Sequence, residues 1–195
     1  MKKNKGFTLI ELVILMLIIG ILAAVGSSII ISVVQNAMYA SKTLNMDMLA
    51  QDALDIIIDG DNLAKGLRFS TVTLPAVPGA SGNTVTYTYT DSILHTVTIT
   101  LNTVTHTLTR QIDGGAVNAF PYYASSSGIE FYPGLNGFLF FFRTADIGAG
   151  EGIPSLASQV RRIEVNLVAR TGSGSFSDWQ GRTELKSSVR INVFP

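Results

Sequence analysis

The sequence predicts an α+β fold, with a long N-terminal transmembrane helix followed by an antiparallel β-sheet head. The first observation is an apolar stretch at residues 7–34, which carries a single charged side chain, Glu11. The second is that after about residue 67, Thr, Val and Tyr recur in alternating runs interrupted by Gly, Pro, Asn and Ser, as in half-buried strands. A chain of 195 residues is long enough for one ordinary domain plus such a helix.

The apolar stretch is long enough to cross a bilayer. As a helix it would extend roughly 42 Å, against a hydrocarbon thickness of about 30 Å. Lys2, Lys3 and Lys5 precede it, and no further Lys or Arg follows until Lys42. The positive-inside rule therefore places the N-terminus in the cytoplasm and everything after about residue 35 outside.

Three simpler explanations of this stretch compete: a cleaved secretory signal, a plain membrane anchor and a buried core helix. Ala24-Val25-Gly26 resembles a signal cleavage site, but apolar residues continue past it to Val34. A plain anchor leaves Glu11 unexplained, because a carboxylate within the span costs up to about 2.5–3.5 kcal/mol. An acid at this position indicates a function.

The string Lys5-Gly6-Phe7-Thr8-Leu9-Ile10-Glu11-Leu12-Val13 resembles the leader junction of type IV prepilins and type II secretion pseudopilins, a class III leader. In that family a membrane-embedded aspartic peptidase, the prepilin peptidase, cuts after the glycine and methylates the new N-terminus. The resemblance implies cleavage between Gly6 and Phe7, N-methylation of Phe7, and Glu11 as the fifth residue of the mature chain.

The family's glutamate at this position has a physical explanation. In a bundle of like helices, the carboxylate of Glu11 can pair with the free ammonium of a neighbour's Phe7, and each charge alone is costly in apolar surroundings. The pairing fixes the axial stagger between subunits. Many family members carry a proline farther along this helix, where this chain has Ser28 with Gly20 and Gly26 nearby. Two interpretations remain open: a local bend there, or close helix packing at the small residues.

The helix is predicted to continue to about Asp59, because apolar residues recur on one face and Gly60 follows as a stop signal. That face holds Tyr39, Met46, Leu49, Ala53 and Ile56. The predicted organisation is a removed leader (1–6), a transmembrane and assembly half of the helix (7–34), an exported half (35–66) and a β-rich head (67–195). By resemblance this is the pilin lollipop outline.

One antiparallel sheet is expected in the head. Strands are predicted at residues 67–74, 84–90, 94–101, 104–112, 128–132, 137–144, 160–170 and 183–194, with loops at 75–83, 113–127, 145–158 and 172–181. The inward rows of the last two strands are Ile163, Val165 and Leu167, then Leu185, Val189, Ile191 and Val193.

The clearest hairpin places a two-residue turn at Asn102-Thr103, which pairs Leu101 with Val104 and His95 with Arg110. The opposite face of this hairpin is then all threonine: Thr96, Thr98, Thr100, Thr105, Thr107 and Thr109.

No catalytic or metal-binding pattern is found, so the chain is predicted to be neither an enzyme nor a cofactor protein. His95 and His106 share the hairpin face without a third ligand nearby, which favours ordinary strand residues. The helix acids Asp47, Asp52, Asp55, Asp59 and Asp61 lack EF-hand spacing and are interpreted as a solvated surface. Calcium binding in the loop with Asp146 and Glu151 is an untested alternative.

Composition excludes other classes. There is no cysteine, and 14 basic residues balance 14 acidic ones, so disulfides, thiol chemistry and a general attraction to nucleic acid are not indicated. A basic patch for DNA would need the fold to gather scattered cations and aromatics: Lys65, Arg68, Arg110, Arg161 and Arg162, with Tyr122 and Tyr123.

The resemblance implies a structural subunit, most similar to a larger minor pilin or minor pseudopilin of a type IV pilus-like filament or type II secretion pseudopilus. The implied partners are prepilin peptidase, other pilin or pseudopilin subunits, the inner-membrane assembly platform and membrane lipid; nucleic acid stays uncertain. The expected location is the cytoplasmic membrane, single-pass with the head outside, and then the filament. The alternative is a singly anchored surface module that recognises DNA, carbohydrate or another surface.

Overall fold

The computed structural model describes residues 8–72, 81–122, 124, 128–134, 137–144, 152–154, 159–171 and 181–191. It consists of two compact units, Met1–Ser41 and Lys42–Pro195. One long apolar helix is followed in the chain by antiparallel β-sheets, which confirms the predicted fold class.

The helix α1 (Leu9–Ile58) ends where the sequence predicts. Gly60 adopts a φ of +90°, and its N–H donates to the Ile56 carbonyl at 3.1 Å. A Cβ at Gly60 would overlap the Ala64 carbonyl oxygen, so the tight turn that stops the helix needs glycine for both dihedral freedom and space.

The described strands form two antiparallel sheets where the sequence suggested one. The strands are β1 (Thr71–Val72), β2 (Ser81–Gly82), β3 (Thr84–Thr90), β4 (Leu94–Asn102), β5 (Thr107–Ile112), β6 (Val117–Phe120), β7 (Ile129–Pro133), β8 (Phe140–Arg143), β9 (Arg162–Thr171) and β10 (Arg182–Arg190). The first sheet has the order β1-β3-β4-β5-β6, and the second has the order β10-β9-β8-β2 with β7 also paired to β9.

The predicted hairpin exists, but its register is wrong by four residues. Leu101 pairs with Leu108, and the turn spans residues 103–106. The Asn102 side chain accepts the Val104 and Thr105 amides at 2.9 and 3.0 Å, and His106 has a φ of 53°, so local bonding builds a longer turn than pattern alone suggested. Because the shift is even, each strand keeps its predicted face, and the threonine face forms across β3, β4 and β5.

Other differences arise where runs are short. β2 and β6 lie in segments predicted as loops, and residues 67–72 form a 3₁₀ turn (Leu67–Phe69) followed by the two-residue β1. Asp113 and Gly114 both have positive φ, at 51° and 71°, in the turn between β5 and β6. An Asp-Gly pair is a hairpin signal, and it marks β6 in the sequence.

The hydrophobic core of the Lys42–Pro195 unit joins the C-terminal part of α1 to both sheets. Met46, Ala50, Ala53 and Ile57 of α1 are fully buried. Ile163, Val165, Leu167, Val189 and Ile191 are buried as predicted, while Leu185 is partly buried and Val193 lies outside the described residues. Of the predicted helix face, Leu49 is buried, Ile56 partly so, and Tyr39 is exposed.

An ion pair between a buried arginine and a partly exposed aspartate fixes the segment that follows α1. Arg110 of β5, whose side chain is 6% exposed, donates two hydrogen bonds of 2.9 Å to the two carboxylate oxygens of Asp61. Asp61 also accepts the Leu63 and Ala64 amides at 2.9 and 3.1 Å. Burial opposes ionisation of Asp61, but these bonds outweigh it and hold the pKa of that carboxyl below its usual value.

Replacing Arg110 with Ala is expected to destabilise the chain by about 1–3 kcal/mol, because it removes two charge-assisted hydrogen bonds and the packing of a buried side chain. The measurement is urea unfolding of the full chain in detergent, followed by circular dichroism. The matched control is Arg182→Ala on β10, whose more exposed guanidinium lies 3.4 Å from Glu184 and is expected to matter by less than about 1 kcal/mol. If the two substitutions lowered the free energy of unfolding equally, the Asp61–Arg110 pair would contribute no more than an exposed ion pair.

Gly60→Ala is expected to cost more than about 2 kcal/mol in the same assay, from the positive φ and the clash together. Gly114→Ala separates the two causes, because Gly114 has a φ of +71° but no atom within 4 Å of the position that a methyl group would occupy. That control should cost only about 1 kcal/mol. A Gly60→Ala loss no larger than the control's would remove the steric part of the explanation.

Candidate functional site

The first turn of α1 is closed by a reciprocal pair of side chains, Thr8 and Glu11. The Thr8 amide and the Thr8 hydroxyl each donate to Glu11 Oε2 at 2.9 Å, and the Glu11 amide donates to Thr8 Oγ1 at 3.4 Å. This is a capping box, with Thr8 as the N-cap and Glu11 three residues later. The Thr-x-x-Glu spacing is the signature of this capping box in the sequence.

The carboxylate of Glu11 is also positioned for a second partner. Both hydrogen bonds that its side chain accepts from the described residues go to Oε2, which leaves Oε1 without one there. The neighbouring side chains Leu9, Ile10, Leu12 and Val13 are apolar and exposed. An ion held in such surroundings attracts an opposite charge strongly once a neighbouring chain excludes water.

Beyond this turn, α1 presents apolar side chains that the chain itself does not cover. Among the described residues it is the one helix long and apolar enough to cross a membrane, and the apolar window is wholly unburied within the chain. Length and composition alone would also fit a signal sequence near the N-terminus. The helix needs a membrane or other helices around it.

The small and polar residues of this segment leave the helix intact. The Ser27 hydroxyl donates to the Ala23 carbonyl and the Ser28 hydroxyl to the Val25 carbonyl, each at 2.8 Å. Gly20 and Gly26 meet nothing within 4 Å at a Cβ position, and α1 is continuous through both. The polar groups are thus satisfied within the helix, and the glycines leave room for a close approach by another helix.

The predicted leader cleavage residues, Gly6 and Phe7, lie outside the described residues, as does the N-methylation position. Of the predicted functional residues, Glu11 is the one placed by the described geometry.

The two histidines do not share a face, because the corrected register puts His106 in the turn. His106 stacks on Tyr132 at 4.0 Å between ring centroids, while His95 lies between the carboxylates of Asp91 and Asp113. In the part of the chain that the structure describes, no group of three His, Cys, Asp or Glu side chains is arranged to hold a metal ion.

Three of the cations proposed for a DNA patch have acidic partners. Arg110 and Arg162 are buried at 6% and 5% exposure, paired with Asp61 and Glu164, and Arg68 pairs with Asp59 at 2.8 Å. Tyr123 lies outside the described residues. Four of the five acids of this region, Asp52, Asp55, Asp59 and Asp61, are exposed, as predicted for a solvated surface. Asp59 and Asp61 nevertheless pair with arginines, and Asp47 accepts a hydrogen bond from Thr183.

Comparison with known families gives one match. Residues 1–27 match the family model described as "Prokaryotic N-terminal methylation motif". This match confirms the leader resemblance. The matched residues cover the leader and the first turns of α1. Neither the curated proteins nor the solved structures give a significant match to the chain.

Thr8→Ala is expected to weaken the first turn of α1 by about 1 kcal/mol, because it removes the hydroxyl that accepts from the Glu11 amide. The measurement is amide hydrogen exchange at residues 10–12 of the full chain in detergent. Thr8→Ser keeps the hydroxyl and should preserve protection. Identical exchange in the Ala and Ser variants would mean that the capping box does not stabilise the turn.

Proposed function

We propose that this chain, whose methylation motif indicates a type IV pilin-like or pseudopilin substrate of prepilin peptidase, is a structural subunit of a filament assembled through α1. The observation that carries the proposal is Glu11, a carboxylate in the first turn of a helix whose apolar surface the chain leaves uncovered. The motif points to a structural subunit and to a membrane-anchored, pilin-type protein.

Processing is the first step. The peptidase cuts the amide between Gly6 and Phe7, which frees an ammonium at Phe7, and then methylates that nitrogen. A methylated amine keeps its positive charge. The cut brings a cation close to the start of α1, where the backbone N–H groups and the helix dipole disfavour it. The Phe7 ammonium therefore gains most by pairing with a carboxylate.

Assembly supplies that carboxylate from a neighbour. Among the described residues, Thr8 donates to Oε2 of Glu11 and none donates to Oε1, which we assign to the incoming ammonium. When two apolar helices pack and exclude water, the ammonium of one subunit and the carboxylate of the next lose hydration unless they meet. Their pairing selects one axial offset between the helices, because any other offset buries both charges unpaired.

The membrane holds the subunit before assembly. We place the N-terminus in the cytoplasm, because Lys2, Lys3 and Lys5 precede the apolar stretch, and the sheets outside. The inner-membrane assembly platform and lipid are the partners that this state requires. We further propose a minor subunit, from the resemblance in the order of helix and strands, so that this chain would be sparse among the other subunits of its filament.

The N-terminal mass of the protein from host membranes, with and without the prepilin peptidase, tests the processing step. A mature chain that begins at methylated Phe7 only when the peptidase is present is the expected result. A chain that begins at Met1 in both strains, or at Ser27, would overturn the proposal.

Glu11→Ala is expected to leave leader cleavage and membrane insertion intact and to reduce incorporation into filaments at least tenfold, since the neighbour's ammonium then loses its partner. Filament recovery by shearing, with immunoblotting of both fractions, measures the two steps separately. The control is Asp52→Ala, which removes an exposed acid farther along the same helix. A Glu11→Ala protein that functions normally would favour the singly anchored binding module instead.

A further inference from the structure

His95 links two turns at one end of the first sheet. Its Nδ1 lies 2.7 Å from Asp113 Oδ2, in the turn between β5 and β6, and its Nε2 lies 3.4 Å from Asp91 Oδ1, in the turn between β3 and β4. Both carboxylates accept only, when ionised, so both ring nitrogens need a proton for both contacts to be attractive. Only the imidazolium form satisfies this arrangement.

We propose that His95 is a pH-dependent latch that ties the β3–β4 turn to the β5–β6 turn when its ring is protonated and releases the β3–β4 turn when the ring is neutral. The proposal concerns the sheet domain and does not depend on filament assembly.

The two carboxylates are held differently, and this decides which contact is released. Asp113 stays in place without His95, because its other oxygen accepts the Thr96 amide at 2.7 Å and its amide donates to the Thr96 carbonyl at 2.8 Å. Apart from His95, the partners of the Asp91 carboxylate among the described residues are the amides of its own turn, Ser92 and Ile93. Asp113 therefore belongs to the fixed framework of β4, and Asp91 to the movable turn.

The distances also assign the proton of the neutral ring. Nδ1 makes the shorter contact, 2.7 Å to Asp113, so the neutral ring keeps its proton on Nδ1 and loses the one on Nε2. Nε2 then presents a lone pair to the Asp91 carboxylate, and the attraction turns into repulsion. Deprotonation thus acts on the Asp91 contact alone.

The surrounding charges favour the protonated His95 ring, in which both contacts are made. The hydrogen bond to Asp113 and the charges of Asp113 and Asp91 raise the pKa of His95, against partial burial. The pKa of each of the two carboxyls is held below its ordinary value by their hydrogen bonds. The other groups facing the cluster are the Tyr89 ring, stacked on His95 at 5.0 Å, and Lys65, whose Nζ lies 5.8 Å from the Tyr89 ring centre.

The direction with pH follows from this sign. The pKa of His95 is higher in the folded chain than in the unfolded one. The latch therefore stabilises the fold fully at pH values below the unfolded-state pKa, and this stabilisation is lost as the pH rises through the folded-state pKa. The released turn ends at Ile93, which is 63% exposed, beside Leu94, the first residue of β4, which is 66% exposed. The latch therefore controls how firmly a small apolar tip is held on the surface.

The test is NMR of the full chain in detergent between pH 5 and 9, with ¹⁵N shifts of the His95 ring and amide exchange of residues 92–94 corrected for intrinsic rates. We expect a neutral ring protonated on Nδ1, and turn exchange about two- to fivefold faster once the ring is neutral, the factor of an exposed ion pair. A neutral ring protonated on Nε2, or a turn exchange rate that does not change as His95 titrates, would overturn the proposal.

Three variants sharpen the result. His95→Gln should abolish the pH step in turn exchange, and persistence of that step would refute the proposal. Asp91→Asn should lower the pKa of His95 and hold the turn at high pH as well, because an amide can donate to the neutral Nε2. His106→Gln is the matched control, because His106 lies in the β4–β5 turn and stacks on Tyr132. It should leave the pH step in turn exchange unchanged.

Discussion

A single carboxylate at the start of an uncovered apolar helix is the constraint on which the proposed function of this chain depends. Glu11 is ionisable, lies among exposed Leu and Ile side chains, and has only Thr8 as a partner within the described chain. Such a group is tolerated in a dry environment only if an opposite charge meets it there. The rest of α1 up to Ser41 has no charged side chain, but it also needs a partner, because its apolar surface must be covered by lipid or by other helices.

The sheet domain meets a different requirement, which is to hold the last turns of α1 against two sheets. Fully buried Met46, Ala50, Ala53 and Ile57 provide the apolar contact. Polar ties then fix the direction of the chain after the helix: the Asp61–Arg110 pair, and the Tyr87 hydroxyl that donates to the Lys65 carbonyl at 3.0 Å. Apolar burial is non-directional, so these hydrogen bonds determine where the chain leaves the helix.

Polar residues in this protein therefore serve three distinct purposes. Asp61 pairs with Arg110 within the fold, and we propose that Glu11 pairs with a partner outside the chain and that His95 joins two turns under the control of pH. All three involve carboxylates that look alike in sequence. What separates them is the number and type of donors that tertiary structure brings to each.

The sequence alone determined the helix, its end at Gly60, the leader motif, the strand faces and most of the strands, because these follow from local periodicity, turn chemistry and an ordered string of residues. It did not determine the four-residue hairpin turn, the division into two sheets, or the short strands β2 and β6, which it treated as loops. It also did not show that Asp61 has a buried partner in Arg110, and it placed His95 and His106 on one face. These features depend on partners distant in the chain, such as Arg110 for Asp61 across 49 positions, and on a four-residue register shift that leaves His106 in the turn. Periodicity reports which side of a strand is buried, and only the folded chain decides which residue lies opposite.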